Sequence, residues 1–455
     1  MNVNRKNVVI RTLVAVLLSL CIVHSMYVFL HLPQEQRVAV GQELKLHLDF
    51  PASLLENFSV YVQADNEQTL DFKDISLQNH CFTLGEGWPV AVKPGTVNLQ
   101  VRLFGIIPIR NMVVDVVPEF KVVPGGQSIG VLLQSKGILV VGHSPIETDT
   151  GAVFPAQEAG MQVGDIIVRA NGEDINNEEL TAKMIDRTGR KGKLMHLRVR
   201  RGNRMIDIDV KPVYCTETSR YRIGLFIRDN AAGVGTLTFY DPSSEIFGAL
   251  GHVVSNGGSE QIIDLRDGKI VESTVQGIQQ GRKGYPGEKI GMFLHRGGLS
   301  GIIKKNTQYG IFGTLKEMPS DDSIYDKPIP VAFSGQIKEG PATMLTVVNG
   351  DEIEEFDIEI IRIMPHQKAS GKGLIIRITD KRLLDLTGGI IQGMSGSPIL
   401  QNGRLVGAVT HVFINEPTQG YGILAEWMLM ESGMVQQDTA RKIGVDFPGF
   451  LVKIV

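Results

Sequence analysis

The sequence is poor in the residues that reveal a metal site or a disulfide framework. It has only three cysteines in 455 residues, Cys21, Cys81 and Cys215, and they are widely separated. This spacing excludes a zinc-binding pair of cysteines and a disulfide scaffold. Cys81 and Cys215 could pair in an oxidising compartment, but we expect free thiols. The sequence also has no His-Glu-x-x-His segment, so a metalloprotease is disfavoured and no metal or other cofactor is predicted.

An excess of basic charge is missing as well. The chain has 46 Lys and Arg against 49 Asp and Glu, a net charge of −3, which argues against a large nucleic-acid-binding surface. Glycine, by contrast, is abundant at 51 residues, and this indicates many turns and a mainly β structure. The length suggests about three domains.

Only one apolar run is long enough to cross a membrane, residues 12–32, and basic residues precede it. Such a run can span a hydrocarbon core of about 30 Å. The preceding basic charge would keep the N-terminus in the cytoplasm and place the body outside. A signal peptide cleaved near residues 23–25 is the competing interpretation. We predict an uncleaved signal anchor over residues 1–35.

Residues 36–118 alternate apolar and polar side chains, as at Val97, Leu99, Val101 and Leu103. This periodicity predicts strands, and hence a small β-sandwich-like domain. It carries no evident chemistry, so we expect a spacer or a docking platform.

Residues 119–213 contain an Ala-Gly-x-x-x-Gly-Asp segment at 159–165 and a tight-turn dipeptide at Asn171-Gly172. Asn176, with Glu179 three residues later, predicts the start of a helix. This pattern resembles a PDZ domain of the kind attached to bacterial envelope proteases.

The PDZ resemblance implies a peptide-binding groove. Its carboxylate-binding loop would be Ile129, Gly130 and Val131, and the peptide would add as a strand beside residues 131–133. The opposite wall would be the helix that bears Leu180 and Met184. These two side chains lie on one helical face, and a purely structural role in the core is the alternative.

Residues 214–455 have short apolar segments with turns every 8–14 residues, which is typical of β-barrels. Within them, residues 393–398 read Gly-Met-Ser-Gly-Ser-Pro. Glycines around Ser395 let the backbone bend sharply, present the hydroxyl and aim N–H groups at an oxyanion. An ordinary Gly/Ser turn is the alternative.

A serine nucleophile needs a neighbouring base, and histidine is the natural one. His252 is the best candidate because it follows a segment of small and apolar residues. His411 is the runner-up. Asp380 ends an apolar strand and is the candidate for the orienting carboxylate. Asp385 and Asp264 are the alternatives.

The segment at 393–398 resembles the nucleophile motif of chymotrypsin-like serine peptidases, which have two β-barrels. The chain after the anchor resembles more closely the stage IV sporulation protein B peptidases of spore-forming bacteria. This resemblance implies Ser395 as nucleophile, His252 as general base, Asp380 as orienting acid, and an oxyanion hole formed by the N–H groups of Gly393 and Ser395. In the chymotrypsin pattern the acid lies nearer the histidine, so Asp380 implies either an altered topology or an enzyme closer to a Ser–His dyad.

The resemblance also implies a membrane-tethered serine endopeptidase between the two membranes around a forespore. It would cleave itself and a membrane-complex component that regulates an intramembrane protease, and so signal activation of a late sporulation sigma factor. The alternative is a non-catalytic PDZ-containing envelope signalling scaffold with a silent barrel.

Overall fold

The structure is a computed structural model, and it describes most of the chain. The described residues are 16, 19, 23, 26, 35–46, 55–62, 68–72, 80–84, 87–175, 177–202, 204–255, 265–294, 298–319, 324–325, 327–365 and 370–434.

The N-terminal unit is a small β domain, as its alternating pattern predicts. Its main sheet has the order β1-β7-β6-β2-β4, and β3 pairs with β5. The inward side chains of the alternating strand β6 join one apolar core. The strands are β1 (Glu35–Ala39), β2 (Phe58–Val62), β3 (Leu70–Asp71), β4 (Cys81–Thr83), β5 (Val90–Ala91), β6 (Gly95–Leu103) and β7 (Ile107–Val117).

The middle of the chain forms short strands and two helices between two unusually long strands. The elements up to residue 222 are β8 (Lys121–Pro124), β9 (Ser128–His143), β10 (Ile146–Thr148), β11 (Gly151–Val153), α1 (Pro155–Glu158), β12 (Ile166–Ala170), β13 (Glu173–Asp174), α2 (Glu178–Arg190), β14 (Met195–Arg201), β15 (Arg204–Val210), β16 (Val213–Cys215) and β17 (Arg220–Arg222). The elements after them are β18 (Leu225–Tyr240), β19 (Ile246–Ala249), β20 (Leu265–Gln279), β21 (Glu288–Phe293), β22 (Ser300–Thr307), β23 (Gly310–Glu317), β24 (Ile329–Pro330) and a 3-10 helix (Ser334–Gln336).

Six of these strands close a first barrel. The pairing runs β9-β20-β22-β23-β19-β18, and β18 pairs back onto β9. Only the early part of β9, up to Ser135, and the later part of β18 belong to this ring. Beyond it, the two strands stay paired and enter the unit that resembles a PDZ domain.

The PDZ-like unit is therefore inserted between two pieces of the first barrel. Its core joins Ile138 and Val140 of β9 to Ile223, whereas Ile129, Val131 and Leu133 pack in the barrel core with Leu237. Within the segment predicted as PDZ-like, 119–213, the early part of β9 pairs and packs in the barrel, and the first part of β18, beyond 213, packs with the PDZ-like unit.

The predicted turn and helix of this unit are present. Asn171 and Gly172 both have positive φ and join β12 to β13. The helix α2 begins one residue later than expected, because Asn177 is its cap and accepts a hydrogen bond from the N–H of Leu180 at 3.0 Å. Asn176 lies outside the described residues.

The peptide-binding site predicted at Ile129, Gly130 and Val131 was wrong. Val131 pairs with Gly233 of β18 on one side and with Ile270 of β20 on the other. A strand whose two edges are both paired has no free N–H and C=O groups to accept a further strand.

The second barrel is built from contiguous sequence. Its closed order is β25-β26-β27-β30-β29-β28. Its elements are β25 (Gly340–Val347), β26 (Ile353–Ile363), β27 (Leu374–Ile378), α3 (Lys381–Thr387), β28 (Pro398–Gln401), β29 (Arg404–Phe413), β30 (Glu416–Leu424) and α4 (Ala425–Ser432).

Two further predictions concern the anchor and the thiols. Within the described part of the chain, no helix is long and apolar enough to cross a membrane. The anchor predicted over residues 1–35 lies almost entirely outside the described residues. Cys81 and Cys215 are free thiols, as expected.

Candidate active site

The loop that carries Ser395 precedes β28 at the rim of the second barrel. Gly393 and Gly396 have φ of +93° and +95°, a region that L side chains rarely adopt. A Cβ at Gly396 would lie 2.1 Å from the carbonyl oxygen of Thr236. Glycine is therefore required here by both conformation and space, and the Gly-x-Ser-Gly pattern follows from this geometry.

Both barrels hold this loop in place. From the first barrel, the N–H of Thr236 donates to the carbonyl of Ser395 at 2.9 Å, and its hydroxyl donates to the carbonyl of Gly393 at 2.8 Å. The hydroxyl of Thr238 donates to the carbonyl of Gly396 at 2.8 Å. From the second barrel, the carbonyl of Val409 accepts from the N–H of Gly396 at 2.8 Å.

Two backbone N–H groups of the loop remain unengaged. Neither the N–H of Gly393 nor that of Ser395 donates a hydrogen bond to any described residue. The carbonyl of Gln392 accepts from the N–H of Lys289 at 2.9 Å. Because a trans peptide directs its C=O and N–H in opposite directions, the N–H of Gly393 points away from Lys289. A pair of free donors beside a serine hydroxyl is what an oxyanion hole requires.

His252 follows β19 of the first barrel. Its Nδ1 lies 2.8 Å from the carbonyl oxygen of Val253. Since a carbonyl only accepts, Nδ1 carries the proton and Nε2 keeps its lone pair. Burial disfavours the imidazolium and lowers the pKa of His252, although the Val253 hydrogen bond opposes this shift. The ring is therefore neutral at pH 7, as a general base must be.

A short segment of β29 brings His252 and Ser395 together. The hydroxyl of Ser395 donates to the carbonyl of Thr410 at 2.8 Å. A Cβ at Gly251, the residue before His252, would lie 2.8 Å from Cγ2 of Thr410. The rings of His252 and His411 are 5.0 Å apart between centroids. The nucleophile and the base thus contact neighbouring residues of the same strand.

His411 is beside the site but is the poorer base. Desolvation, with the charges of His252 and Lys372, lowers its pKa to about 4. A base with so low a pKa takes a proton weakly at neutral pH. The His411 side chain lies on the exposed side of β29, with the ring tilted by 45° to that of His252.

Asp380 is not brought to the histidine. It is the N-cap of α3, and Oδ1 accepts from the N–H of Arg382 at 2.8 Å while Oδ2 accepts from the Arg382 guanidinium at 3.1 Å. His411 is level with Ile375 of β27 across β30, and Asp380 is five residues further on. β27 ends at Ile378, three residues after Ile375, which at about 3.3 Å per residue is about 10 Å along the sheet, and Asp380 follows that end.

The other carboxylates do not replace it. Asp385 is exposed on α3, and its backbone carbonyl accepts from Gln280 at 2.8 Å. Asp264 lies outside the described residues. Among the described residues no carboxylate is hydrogen-bonded to His252, and the orienting acceptor is the Val253 carbonyl.

The PDZ-like unit has a free strand edge, but it lies on β18 and not at Val131, where it was expected. Residues 225–228 of β18 pair with β9, and within the described part of the chain no strand covers their other edge. Helix α2 begins close to the end of this segment, where the N–H of Glu178 donates to the Asp229 carboxylate at 3.3 Å. Leu180 is 59% exposed there, whereas Met184 packs against the core of the unit.

Two β-barrels with a Gly-x-Ser-Gly loop on one and a neutral histidine on the other define a serine endopeptidase. Residues 219–429 match the family described as SpoIVB peptidase S55, and residues 137–211 match the PDZ domain. Residues 219–429 are therefore similar to the SpoIVB peptidases and residues 137–211 to PDZ domains, so protein or peptide substrates are implied.

Several solved structures are similar to parts of the chain. The Rv3671c protease from M. tuberculosis in its active form is 15% identical, with 45% of this chain and 74% of that chain covered and a TM-score of 0.25. The thermostable serine protease AL20 from an extremophilic microorganism is 13% identical, with 45% and 93% covered and a TM-score of 0.28. The PDZ domain of the SdrC-like protein from Listeria monocytogenes is 18% identical, with 21% and 90% covered and a TM-score of 0.17. No curated protein matches the chain.

Proposed function

We propose that this chain is a membrane-tethered, extracytoplasmic serine endopeptidase that works with a Ser395–His252 dyad. The observation that carries the proposal is the pair of unengaged N–H groups, of Gly393 and Ser395, on a loop held by both barrels. Preorganised donors of this kind stabilise the charge that develops on a substrate carbonyl oxygen.

The catalytic steps follow from the hydrogen bonds of the resting site. The Ser395 hydroxyl turns away from the Thr410 carbonyl, transfers its proton to Nε2 of His252 and attacks the scissile carbonyl carbon. The oxyanion accepts hydrogen bonds from Gly393 and Ser395. His252 then gives the proton to the leaving amine. In the second half of the reaction, a water molecule gives a proton to Nε2 of His252 and attacks the acyl carbon, and His252 returns this proton to the Ser395 oxygen as the acyl-enzyme bond breaks.

The Val253 carbonyl takes the place of a triad carboxylate in this mechanism. It fixes the tautomer of His252, which is one of the two tasks of a triad aspartate. It carries no net charge and stabilises the imidazolium less, and the lowered pKa of His252 agrees with this.

The biological setting proposed rests on the family and on the N-terminal sequence pattern. The enzyme would be anchored by residues 1–35 between the two membranes around the forespore. There it would cleave itself near the N-terminus and a regulatory component of a membrane complex, and so lead to activation of a late sporulation sigma factor. A peptide captured by the PDZ domain would add to the free edge at residues 225–228, with α2 as the facing wall.

The decisive test is replacement of the nucleophile and the base in the full chain. We expect Ser395→Ala and His252→Ala each to lower the rate of self-processing by about 10⁵- to 10⁶-fold, with unchanged circular dichroism. Ser395→Ala should also abolish labelling by a fluorophosphonate. His196→Ala, at an exposed histidine paired with Asp209, is the matched control and should process normally. Normal processing by Ser395→Ala would instead support the non-catalytic scaffold.

A further inference from the structure

A buried lysine lies directly behind the oxyanion loop. Lys289 of β21 is only 4% exposed, and no described carboxylate pairs with it. Its Nζ donates to the hydroxyl of Thr346 on β25 at 2.7 Å. Lysine is almost never fully buried without a charged partner, because its desolvation is costly. The cost of burying Lys289 without a charged partner suggests that this side chain has a functional role.

The side-chain nitrogen of Lys289 begins a chain of buried hydroxyls that ends at the loop. The hydroxyl of Thr346 lies 3.0 Å from that of Ser397, which lies 3.5 Å from that of Thr236. The Thr236 hydroxyl donates to the carbonyl of Gly393 at 2.8 Å. Thr346, Ser397 and Thr236 are all fully buried, so water does not compete for these bonds and each is strengthened by the low polarity around it.

The rest of Lys289 also touches the loop. A Cβ at Gly393 would lie 3.0 Å from both Cβ and Cδ of Lys289, so the aliphatic stem packs against the Gly393 backbone. The N–H of Lys289 holds the carbonyl of Gln392 and thereby directs the N–H of Gly393. Main chain, stem and hydroxyl chain all reach the two peptide groups on either side of Gly393.

We propose that Lys289 is a positioning residue that holds the Gly393 half of the oxyanion hole, through its packed stem and through Thr346, Ser397 and Thr236. The inference rests on the proposed function, because it assigns a role in the same reaction. Complete burial lowers the pKa of Lys289 to about 7, so the amine can serve in the hydroxyl chain without a counter-charge. Removing it would leave the Thr346 hydroxyl short of a partner and the loop free to turn its Gly393 N–H away.

The test uses fluorophosphonate inactivation of the full chain, which separates binding (KI) from the reaction at Ser395 (kinact). Lys289→Met keeps the length and apolar character of the stem and removes the amine. We expect kinact to fall about 10- to 100-fold with KI within about 2-fold of the parent value. Lys304→Met, at an exposed lysine of β22, is the matched control and should leave both constants unchanged.

The outcomes distinguish this inference from the proposed function. If the parent chain is not labelled at Ser395, the proposed function fails first. If the parent is labelled and Lys289→Met reacts with an unchanged kinact, or loses only binding, the positioning role is overturned while the function stands. Should Lys289→Met fail to fold, Ser397→Ala decides, since it breaks the same chain by removing one hydroxyl. A lower kinact with unchanged KI supports the role, and a normal kinact overturns it.

Discussion

The two barrels are built in different ways, although each closes with six strands. The second barrel is a contiguous stretch of sequence, residues 340–424. The first is assembled from β9 and from β18, β19, β20, β22 and β23, with the PDZ domain inserted between β9 and β18. The second barrel, which is continuous in sequence, can change without altering another domain. The first barrel cannot, because its strands β9 and β18 continue into the PDZ domain.

The same difference extends to the chemistry. The second barrel supplies Ser395, but the loop around it depends on the first barrel, which contributes His252, Thr236 and Thr238. One strand of the first barrel, β18, has a free edge at residues 225–228 and holds the oxyanion loop through Thr236. The insertion of the PDZ domain therefore gives a direct main-chain link between the free edge and the catalytic loop.

The largest expected effect tests whether the first barrel sets the geometry of the oxyanion hole. Thr236→Val removes the hydroxyl that holds the carbonyl of Gly393, and we expect kcat to fall about 10- to 100-fold. Thr238→Val removes a similar bond to the carbonyl of Gly396. The Gly393 carbonyl lies in the peptide between the two that carry the oxyanion donors, whereas the Gly396 carbonyl lies in a peptide adjacent to neither. We expect Thr238→Val to lower the free energy of unfolding by about 1–2 kcal/mol and to leave kcat within about 3-fold. An unchanged kcat in Thr236→Val would mean that the barrels are joined there for stability alone.

A pH profile sharpens the comparison at His252. Burial lowers its pKa below the ordinary 6.5, and no described carboxylate opposes this shift. We therefore expect the acid limb of kcat/KM to have its midpoint below pH 6.5, because activity is lost only once His252 is protonated. A midpoint above 6.5 would indicate a carboxylate partner and contradict the dyad.

The free energy of unfolding should also fall in acid, because the same histidines resist protonation in the folded state. The pKa values of His252 and His411 are lower in the folded state, so the unfolded chain binds more protons below pH 6.5. The free energy of unfolding contributed by these two groups is intact above pH 6.5 and declines as the pH falls below it. Urea unfolding at several pH values measures this change.

The sequence predicts the nucleophile because a short loop with two left-handed glycines leaves a local pattern around Ser395. His252 could be chosen because its neighbours are small and apolar. Thr236, Thr238 and Lys289 leave no such signal, since their roles arise from contacts between residues more than 50 positions apart. The sharing of strands is hidden from the sequence for a related reason: β9 and β18 each belong to two units, and a linear pattern assigns each segment to one.

The smallest expected effect on activity is that of replacing Asp380, a residue of the second barrel. Burial tends to raise the pKa of Asp380, but hydrogen bonds from the Arg382 side chain and from the N–H groups of Leu383 and Arg382 outweigh it, so the pKa is lowered. As the cap of α3, Asp380 should tolerate asparagine, which caps helices equally well. We expect Asp380→Asn to keep kcat/KM within about 2-fold, whereas a triad role would cost about 10⁴-fold.

The matched replacement of the same cap separates stability from catalysis. Asp380→Ala removes the capping acceptor and should lower the free energy of unfolding by about 1 kcal/mol at pH 7, again with near-normal turnover. Because the folded-state pKa is depressed, the ionised cap stabilises the protein above the ordinary pKa of an aspartate, and this part is lost as the pH falls through the folded value. The stability gap between parent and Asp380→Ala should therefore narrow in acid. A fall in kcat without loss of stability would contradict this and indicate that Asp380 takes part in catalysis. The second barrel would then supply two catalytic residues, Asp380 and Ser395.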